Sequence, residues 1–188
     1  MSILVTGGAR SGKSSFAEKW CMKQGDSAVY IATGQAFDEE MRERISLHQQ
    51  QRERSGYNWR TVEEPVHLNE RLAQLGGSDT QIVLVDCLTL WLSNILLRAE
   101  AEHGALSAAS HAVSAEIDGL VTAVQAFPGR LALVSNEVGS GIVPEYALGR
   151  MYRDFTGILN RRIASVSSEV FLVTAGIAVE LKSREYKL

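Results

Sequence analysis

The stretch ILVTGGARSGKS, residues 3–14, decides the fold. Its apolar start, residues 3–5, is typical of a buried strand, and a helical pattern of apolar residues follows over residues 14–23. The part between them, GGARSGKS, matches the phosphate-loop pattern G-x-x-x-x-G-K-[ST] without a gap. Because the motif stands between a predicted strand and a predicted helix, it predicts nucleotide binding by Gly7, Gly8, Ala9, Arg10, Ser11, Gly12, Lys13 and Ser14.

Each residue type in this loop has a chemical task. Glycines let backbone N–H groups approach phosphate oxygens closely, and the positive end of the following helix adds to the attraction. We expect Lys13 to reach the β- and γ-phosphates and the Ser14 hydroxyl to ligate Mg²⁺. Asp86, directly after the apolar residues 82–85, is the best candidate for a second Mg²⁺ ligand. The alternative for Asp86 is a strand-end carboxylate that caps the next helix.

Strand-like and helix-like segments alternate along the rest of the chain. Apolar runs typical of strands occupy residues 29–32, 59–62, 82–85, 131–134 and 170–173. Helical patterns occupy about residues 38–54, 65–75, 88–102, 105–127 and 144–164, the last of them opened by Pro144. This alternation predicts an α/β fold with a mostly parallel central sheet and helices on both faces. Such sheets bind ligands at the carboxyl ends of their strands.

Composition narrows the class of protein. The chain has 188 residues and shows no linker, so we expect one domain over residues 1–188. A net charge of −3 gives no basic field that would indicate nucleic acid. Two cysteines far apart in sequence favour a reducing compartment. With no apolar run of about 20 residues for membrane insertion and no room for a signal peptide before the first strand, we expect a cytoplasmic protein.

A phosphate loop identifies a nucleotide but not a reaction. Regulatory GTPases carry an N-K-x-D motif that reads guanine, and here no Asn is followed by Lys. A signalling GTPase is therefore disfavoured. A small-molecule kinase and a motor-type ATPase remain open, although the second usually needs a longer chain or partners.

One histidine stands in the charged segment EEMRERISLHQQQRER, residues 39–54. On a helix, Met41, Ile45 and His48 share one face, and Leu47 lies off that stripe. His48 is then either a packed histidine with one hydrogen bond or a neutral imidazole able to attack a phosphate. Helical spacing alone does not decide between these two interpretations.

Several collinear motifs resemble one enzyme family along nearly the whole chain. They are ILVTGGARSGKS, YIATGQAFDEEM, RISLH with the later WRTVEEP, VLVDCLTLWLSN, LVSNEVGSGIVPE and RDFTGILNRRIA. Together they are similar to the bifunctional adenosylcobinamide kinase/adenosylcobinamide-phosphate guanylyltransferases of cobalamin biosynthesis. The later motifs carry more of the resemblance than the phosphate loop, which very many proteins share.

The resemblance implies a fold, two reactions and a set of site residues. The fold is a three-layer P-loop NTPase-type fold like that of recombination ATPases, and the members form trimers. A nucleoside triphosphate, ATP or GTP, phosphorylates adenosylcobinamide, and GMP then passes from GTP to adenosylcobinamide phosphate through a guanylylated histidine, here His48. The resemblance implies Mg²⁺ as cofactor, on Ser14 and Asp86, and further nucleotide contacts from Thr33, Gly34, Gln35, Gln49, Gln50, Gln51, Arg52 and Glu63.

Two other interpretations remain at this point. In the first, the protein is a different small-molecule P-loop kinase without guanylyltransferase activity, and His48 is inert. In the second, it is a non-catalytic module whose phosphate loop governs assembly. The loop over residues 136–141 follows a predicted strand and is placed to meet the corrinoid or the nucleotide; the alternative is a plain glycine-rich connection.

Overall fold

The structure, a computed structural model, describes residues 1–36, 39–78, 81–104 and 106–187, and for helical residues 40, 41, 44, 48 and 51 the backbone alone. Seven strands are described: β1 (Ser2–Thr6), β2 (Ser27–Ala32), β3 (Asn58–Glu63), β4 (Ile82–Asp86), β5 (Arg130–Val134), β6 (Glu169–Thr174) and β7 (Ile177–Glu180). The helices are α1 (Lys13–Met22), α2 (Glu39–Arg54), α3 (Leu68–Gly76), α4 (Leu88–His103), α5 (Leu106–Ala126) and α6 (Ala147–Val166). A short 3₁₀ helix, Lys182–Arg184, lies near the end of the chain.

All seven strands form one sheet in the order β3-β2-β4-β5-β1-β6-β7. The strands from β3 to β6 pair in parallel, and β7 pairs antiparallel to β6. The predicted α/β class with a mostly parallel sheet is confirmed. Because β1 lies between β5 and β6, the loop that follows it opens at the middle of the carboxyl edge.

Helices cover both faces of the sheet, and the strand residues alternate between two apolar clusters. One cluster joins Leu4, Val83 and Leu133 to side chains of α3, α4, α5 and α6. The other joins Ile3, Leu84 and neighbouring strand residues to Ala17 and Cys21 of α1. This alternation is the two-residue period of strands whose two faces are both buried.

Two helices and one strand differ from the predictions. Pro144 lies three residues before α6, which begins at Ala147, so the prediction that it opens the helix is wrong. The carbonyls of residues 144 and 145 instead accept hydrogen bonds from the side chain of Arg150. Likewise α3 begins at Leu68 rather than at Pro65. The short strand β7 was not predicted, because its apolar residues are partly exposed and form no buried run.

Within the described part of the chain, no helix combines the length and the apolar character that crossing a membrane requires.

Candidate active site

The phosphate loop connects β1 to α1 and is seated against neighbouring strands. The Glu137 N–H donates to Gly7 O at 3.0 Å, and the Gly176 N–H donates to Ser11 O at 2.9 Å. A Cβ on Gly7 would lie 2.3 Å from Val173 O, so no side chain fits there. Gly12 has φ +96°, a left-handed conformation that favours glycine, directly before the first residue of α1. The two glycines therefore permit the close fit and the turn that the sequence predicts.

Lys13 and Ser14 form the start of α1 at the floor of a cleft. Lys13 is buried, and its Nζ donates to Gly8 O at 3.1 Å, which holds the ammonium group over the loop. Ser14 is half-buried and lines the same cleft. The backbone of Arg10 has φ 57°, and its side chain is exposed at the rim together with Gly8 and Ala9.

We call this cleft the phosphate cleft. Its volume is about 120 Å³, and it lies between the phosphate loop, the ends of β2 and β4, and one side of α2. Its lining residues are Lys13, Ser14, Tyr30, Ala32, Gly34, Ile45, Gln49, Arg52, Asp86, Cys87, Leu90 and Asn136. The structure therefore brings together residues that lie more than 100 positions apart in the chain.

Asp86, the last residue of β4, enters the cleft with Ser14. One of its carboxylate oxygens, Oδ2, accepts a hydrogen bond from the Tyr30 hydroxyl at 3.1 Å. Burial, together with the neighbouring Asp86 charge, raises the pKa of Tyr30 well above its ordinary value. Tyr30 therefore stays protonated and remains a donor to Asp86 near neutral pH.

Arg52 of α2 is a second buried cation of the cleft besides Lys13, with 4% of its surface exposed. Its Cζ lies 3.6 Å from the centre of the Tyr30 ring, a cation–π contact. Its Nε and Nη1 have no hydrogen-bond partner among the described residues. A buried guanidinium with unused donors is suited to an anion such as a phosphate.

The α2 positions predicted as site residues divide between two faces of the helix. Ile45, Gln49 and Arg52 line the phosphate cleft, whereas Leu47 is exposed, as its position off the stripe predicts. Gln50 is on the outer face, where its amide donates to Ser46 Oγ at 3.3 Å.

The side chains of His48 and Gln51 lie outside the described part of the structure. In the helical backbone, position 48 is three residues after Ile45 and four before Arg52, hence on the same stripe.

The residues near the ends of β2 and β3 that were predicted to contact the nucleotide lie in different surroundings. Gly34 lines the phosphate cleft, and Gln35 is half-buried just beyond it. Thr33 is fully buried, and its hydroxyl bonds both the carbonyl and the N–H of Cys87 at 2.7 and 2.8 Å. That hydroxyl thus ties β2 to β4. Glu63 ends β3 beside Ala32 and is exposed, outside the cleft lining.

The connection after β5 also reaches the cleft. Asn136 lines it, with its amide donating to Thr89 Oγ1 at 2.7 Å and its carbonyl accepting from Asn160 Nδ2 at 3.0 Å. Further along, Arg153 donates to Gly139 O at 2.7 Å, and Arg150 donates to the carbonyls of residues 144 and 145. These bonds hold the connection against α6.

Two acid–base groups near the cleft were missed by sequence reasoning. Tyr30 lies inside an apolar strand run, and Glu18 lies on α1 one turn beyond Ser14. Burial raises the pKa of Glu18 to about 7, the Arg52 charge opposes this rise, and the Asp86 charge adds to it. Glu18 lies outside the quoted motifs, and Tyr30 opens the motif YIATGQAFDEEM without a polar role that the sequence indicates. What reveals them is the contact of Tyr30 with Asp86 and Arg52 and the charge interaction of Glu18 with the same two residues.

The cleft is a suitable place for a nucleotide-bound Mg²⁺ ion. Ser14 and Asp86 supply the hydroxyl and carboxylate oxygens that Mg²⁺ prefers, and nucleotide and water oxygens usually complete its shell. The described residues contain no cluster of three or more His, Cys, Asp or Glu that would hold a metal by itself. This donor set fits an ion that arrives with its nucleotide.

Comparisons with known proteins agree with this geometry. The bifunctional adenosylcobalamin biosynthesis protein CobU of Escherichia coli (strain K12) is 43% identical over 188 residues, which cover 97% of this chain and 100% of that protein. The bifunctional adenosylcobalamin biosynthesis protein CobP of Pseudomonas aeruginosa is 41% identical over 182 residues, which cover 97% of this chain and 98% of that protein.

Among solved structures, an ATPase from the type III secretion system of pathogenic bacteria matches with a TM-score of 0.55 at 11% identity. The match covers 100% of this chain and 58% of that ATPase, so the chain spans little more than half of its length. At this identity the likeness shows the fold alone, and it supports the P-loop NTPase class predicted from the sequence.

A family model for cobinamide kinase / cobinamide phosphate guanyltransferase matches residues 3–181, nearly the whole chain. The resemblance stated from the motifs is therefore confirmed. With its phosphate loop, strand-end carboxylate and α2 stripe on one cleft, the chain belongs to the cobinamide kinase / cobinamide phosphate guanyltransferase family.

Proposed function

We propose that the protein catalyses two successive reactions on adenosylcobinamide. A nucleoside triphosphate first phosphorylates the aminopropanol hydroxyl, and GMP then moves from GTP onto that phosphate, with pyrophosphate as the leaving group. The observation that carries the proposal is the shared cleft, where the phosphate loop faces the α2 stripe that includes position 48. Residues 1–188 act as one catalytic unit in this proposal.

The phosphate loop performs the same task in both reactions. Loop N–H groups and the Lys13 ammonium group bind the β- and γ-phosphates and stabilise the charge that develops on the leaving group. The kinase step needs little more than a hydroxyl group positioned near the γ-phosphate. Mg²⁺ held through Ser14 and Asp86 would neutralise phosphate charge when it is bound with the nucleotide.

His48 is the nucleophile of the transferase step. Its unprotonated imidazole attacks the α-phosphorus in line with the departing pyrophosphate, and a phosphoramidate bond forms as the bond to pyrophosphate breaks. The corrinoid phosphate then displaces the histidine from the same phosphorus. Gln49 and Arg52, one and four positions after His48, face the cleft and are placed to bind the nucleotide phosphates.

The oligomeric state and cellular compartment are further parts of the proposal. The protein works as a homotrimer, as the family resemblance implies. It works in the cytoplasm, where nucleotides are abundant and where its two free cysteines, Cys21 and Cys87, stay reduced.

A labelling experiment tests the transferase step. The protein is incubated with Mg²⁺ and GTP labelled at the α-phosphate, and we expect acid-labile, base-stable label on the protein. The His48→Ala variant should carry no label while retaining its fold by circular dichroism. Wild-type protein that folds, binds GTP and stays unlabelled would overturn the guanylyltransferase proposal.

The same preparation tests the kinase step. Adenosylcobinamide with ATP or GTP should give adenosylcobinamide phosphate, and His48→Ala should retain this activity because the step does not use the histidine. Turnover without label on the wild type would leave a small-molecule kinase. No turnover of any substrate would favour a nucleotide-binding module.

A further inference from the structure

Few of the side chains that the structure describes on helix α2 are buried against the rest of the protein. Among its described side chains Arg52 is the only buried one, and Ile45 and Gln49 are half-buried. The others, from Glu39 to Arg54, are exposed. Among the described side chains, Arg52 is therefore the main one that fixes this helix over the phosphate cleft.

Arg52 rests on the ring of Tyr30. Its Cζ is 3.6 Å from the ring centre, so the guanidinium lies against the face of the ring. Such a contact stabilises a buried cation and fixes the plane in which its donors point. With Nε and Nη1 unpartnered among the described residues, the ring is the contact that orients this group.

Tyr30 itself is fixed in the sheet. It lies in β2 with 5% of its surface exposed, and Trp59 of the neighbouring strand meets it edge to face at 6.1 Å between ring centres. Its hydroxyl donates to Asp86 Oδ2 at 3.1 Å. One rigid side chain thus contacts the carboxylate at the end of β4 with its hydroxyl and the buried cation of α2 with its face.

We infer that Tyr30 is a positioning residue that sets the Asp86 carboxylate and the Arg52 guanidinium relative to each other. Through Arg52 it also holds α2, and with it position 48, over the phosphate loop. The part of this inference that concerns His48 rests on the proposed function; the part that concerns Asp86 and Arg52 does not. Tyr30 opens the motif YIATGQAFDEEM, but the sequence analysis assigns it no role in the site.

Two substitutions separate the two contacts. Tyr30→Phe keeps the ring and removes the hydroxyl, whereas Tyr30→Leu removes both. The first readout is binding of Mn²⁺ to the complex with a GTP analogue whose α,β-bridge is methylene, followed by electron paramagnetic resonance. We expect both variants to weaken Mn²⁺ binding by about tenfold, since each leaves Asp86 without its hydrogen-bond donor.

The second readout is the rate of protein labelling from α-labelled GTP at saturating Mg²⁺. The Tyr30→Phe variant should be labelled at nearly the wild-type rate, because the phenyl ring keeps the cation–π contact with the Arg52 guanidinium. Tyr30→Leu should label about tenfold more slowly, a loss that extra Mg²⁺ does not restore. Arg52→Lys keeps the charge and loses the planar stack, so it should reproduce the slower labelling.

A double variant shows whether Tyr30 acts through Arg52. Tyr30→Leu combined with Arg52→Lys should label no more slowly than the slower single variant, whereas independent effects would multiply. Tyr57→Phe is the matched control, because Tyr57 packs on Trp59 with ring centres 4.9 Å apart, whereas its hydroxyl has no hydrogen-bond partner among the described residues. Thermal melts of all variants report whether each one folds.

The outcomes distinguish the inference from the proposed function. Unlabelled wild-type protein contradicts the function, and Mn²⁺ binding then still tests the role of Tyr30. Folded Tyr30→Phe that binds Mn²⁺ as tightly as the wild type overturns the Asp86 part. Multiplicative labelling losses in the double variant overturn the Arg52 part.

Discussion

At the scale of single residues, Glu18 is an acid–base group whose burial moves its pKa into the neutral range. It lies on α1 with Arg52 and Asp86 nearby, and burial raises its pKa from 4.5 to about 7. A carboxyl group with a raised pKa in the folded state binds its proton more tightly there than in the unfolded state. Folding is therefore favoured while Glu18 is protonated, and the advantage is lost as the pH rises towards 7.

Glu18→Gln removes this dependence. Between about pH 4.5 and 7 the folded wild type binds more protons than the unfolded chain, so its stability falls as pH rises through this window. We expect the variant to lose that slope and to be more stable than the wild type at pH 8. The gain should be on the order of 1 to 2 kcal/mol, because partial exposure of Glu18 screens the full shift.

Urea denaturation of both proteins at pH 5, 6, 7 and 8 measures the slope. Glu102→Gln, which changes an exposed glutamate on α4, is the control and should follow the wild type. Parallel curves for wild type and Glu18→Gln would contradict the prediction.

Gly7 illustrates how closely the phosphate loop fits the sheet. Gly7→Ala would place a Cβ 2.3 Å from Val173 O, a backbone atom that cannot move alone. We expect a loss of about 2 kcal/mol or more in the free energy of unfolding. Gly8→Ala is the control for stability, since a Cβ there meets nothing within 4 Å. Equal melting temperatures for the two variants would show that the backbone around Gly7 shifts to accommodate a methyl group at little energetic cost.

At the scale of helices and strands, the sequence predicted most elements. Apolar residues recur with the helical period in the helices and form short continuous runs in the buried strands. Residues 82–85 of strand β4 are buried as predicted, and helix α5 buries an apolar stripe that includes Val113, Ile117, Leu120 and Val124. Local patterns failed where an element has no buried apolar run or where side-chain contacts set its first residue. Strand β7 forms against β6 with few buried residues, and Pro144 stays outside α6 with its carbonyl bonded by Arg150.

The candidate site divides in the same way. Lys13 and Ser14, in the loop-to-helix motif that follows β1, lie on one cleft with Asp86 at the end of β4, as the sequence predicts. Tyr30 and Glu18 could not be predicted, because their roles arise from contacts with α2 and β4 that no local pattern encodes. Gln50 follows Gln49 in sequence, yet one helical step moves it to the outer face.

The α5 stripe predicts the effect of a core substitution. Leu120 is fully buried between α5 and its neighbours, so Leu120→Ala leaves a cavity and should cost about 2 to 5 kcal/mol of stability. His111→Ala, on the exposed side of the same helix, should change stability by no more than about 0.5 kcal/mol. Chemical denaturation at one pH compares them, and similar midpoints would contradict the assigned packing of α5.

At the scale of the whole molecule, nucleotide binding should stabilise the fold globally, because the phosphate cleft joins the phosphate loop, the sheet edge and α2. A non-hydrolysable GTP analogue with Mg²⁺ at about 100 times its dissociation constant should add about 2.7 kcal/mol. Lys13→Ala should abolish most of the gain. Differential scanning calorimetry measures it, and an equal gain in both proteins would place the nucleotide elsewhere.

The two native thiols have a practical consequence for observing this enzyme at work. Cys21 and Cys87 are both buried; burial raises the pKa of Cys21 to about 12 and also raises that of Cys87. Thiol-reactive dyes and spin labels should therefore leave the folded native chain unmodified. A single cysteine introduced by Ser46→Cys, at an exposed position of α2, would be labelled selectively. The label would report on α2 alone, without removal of either natural cysteine.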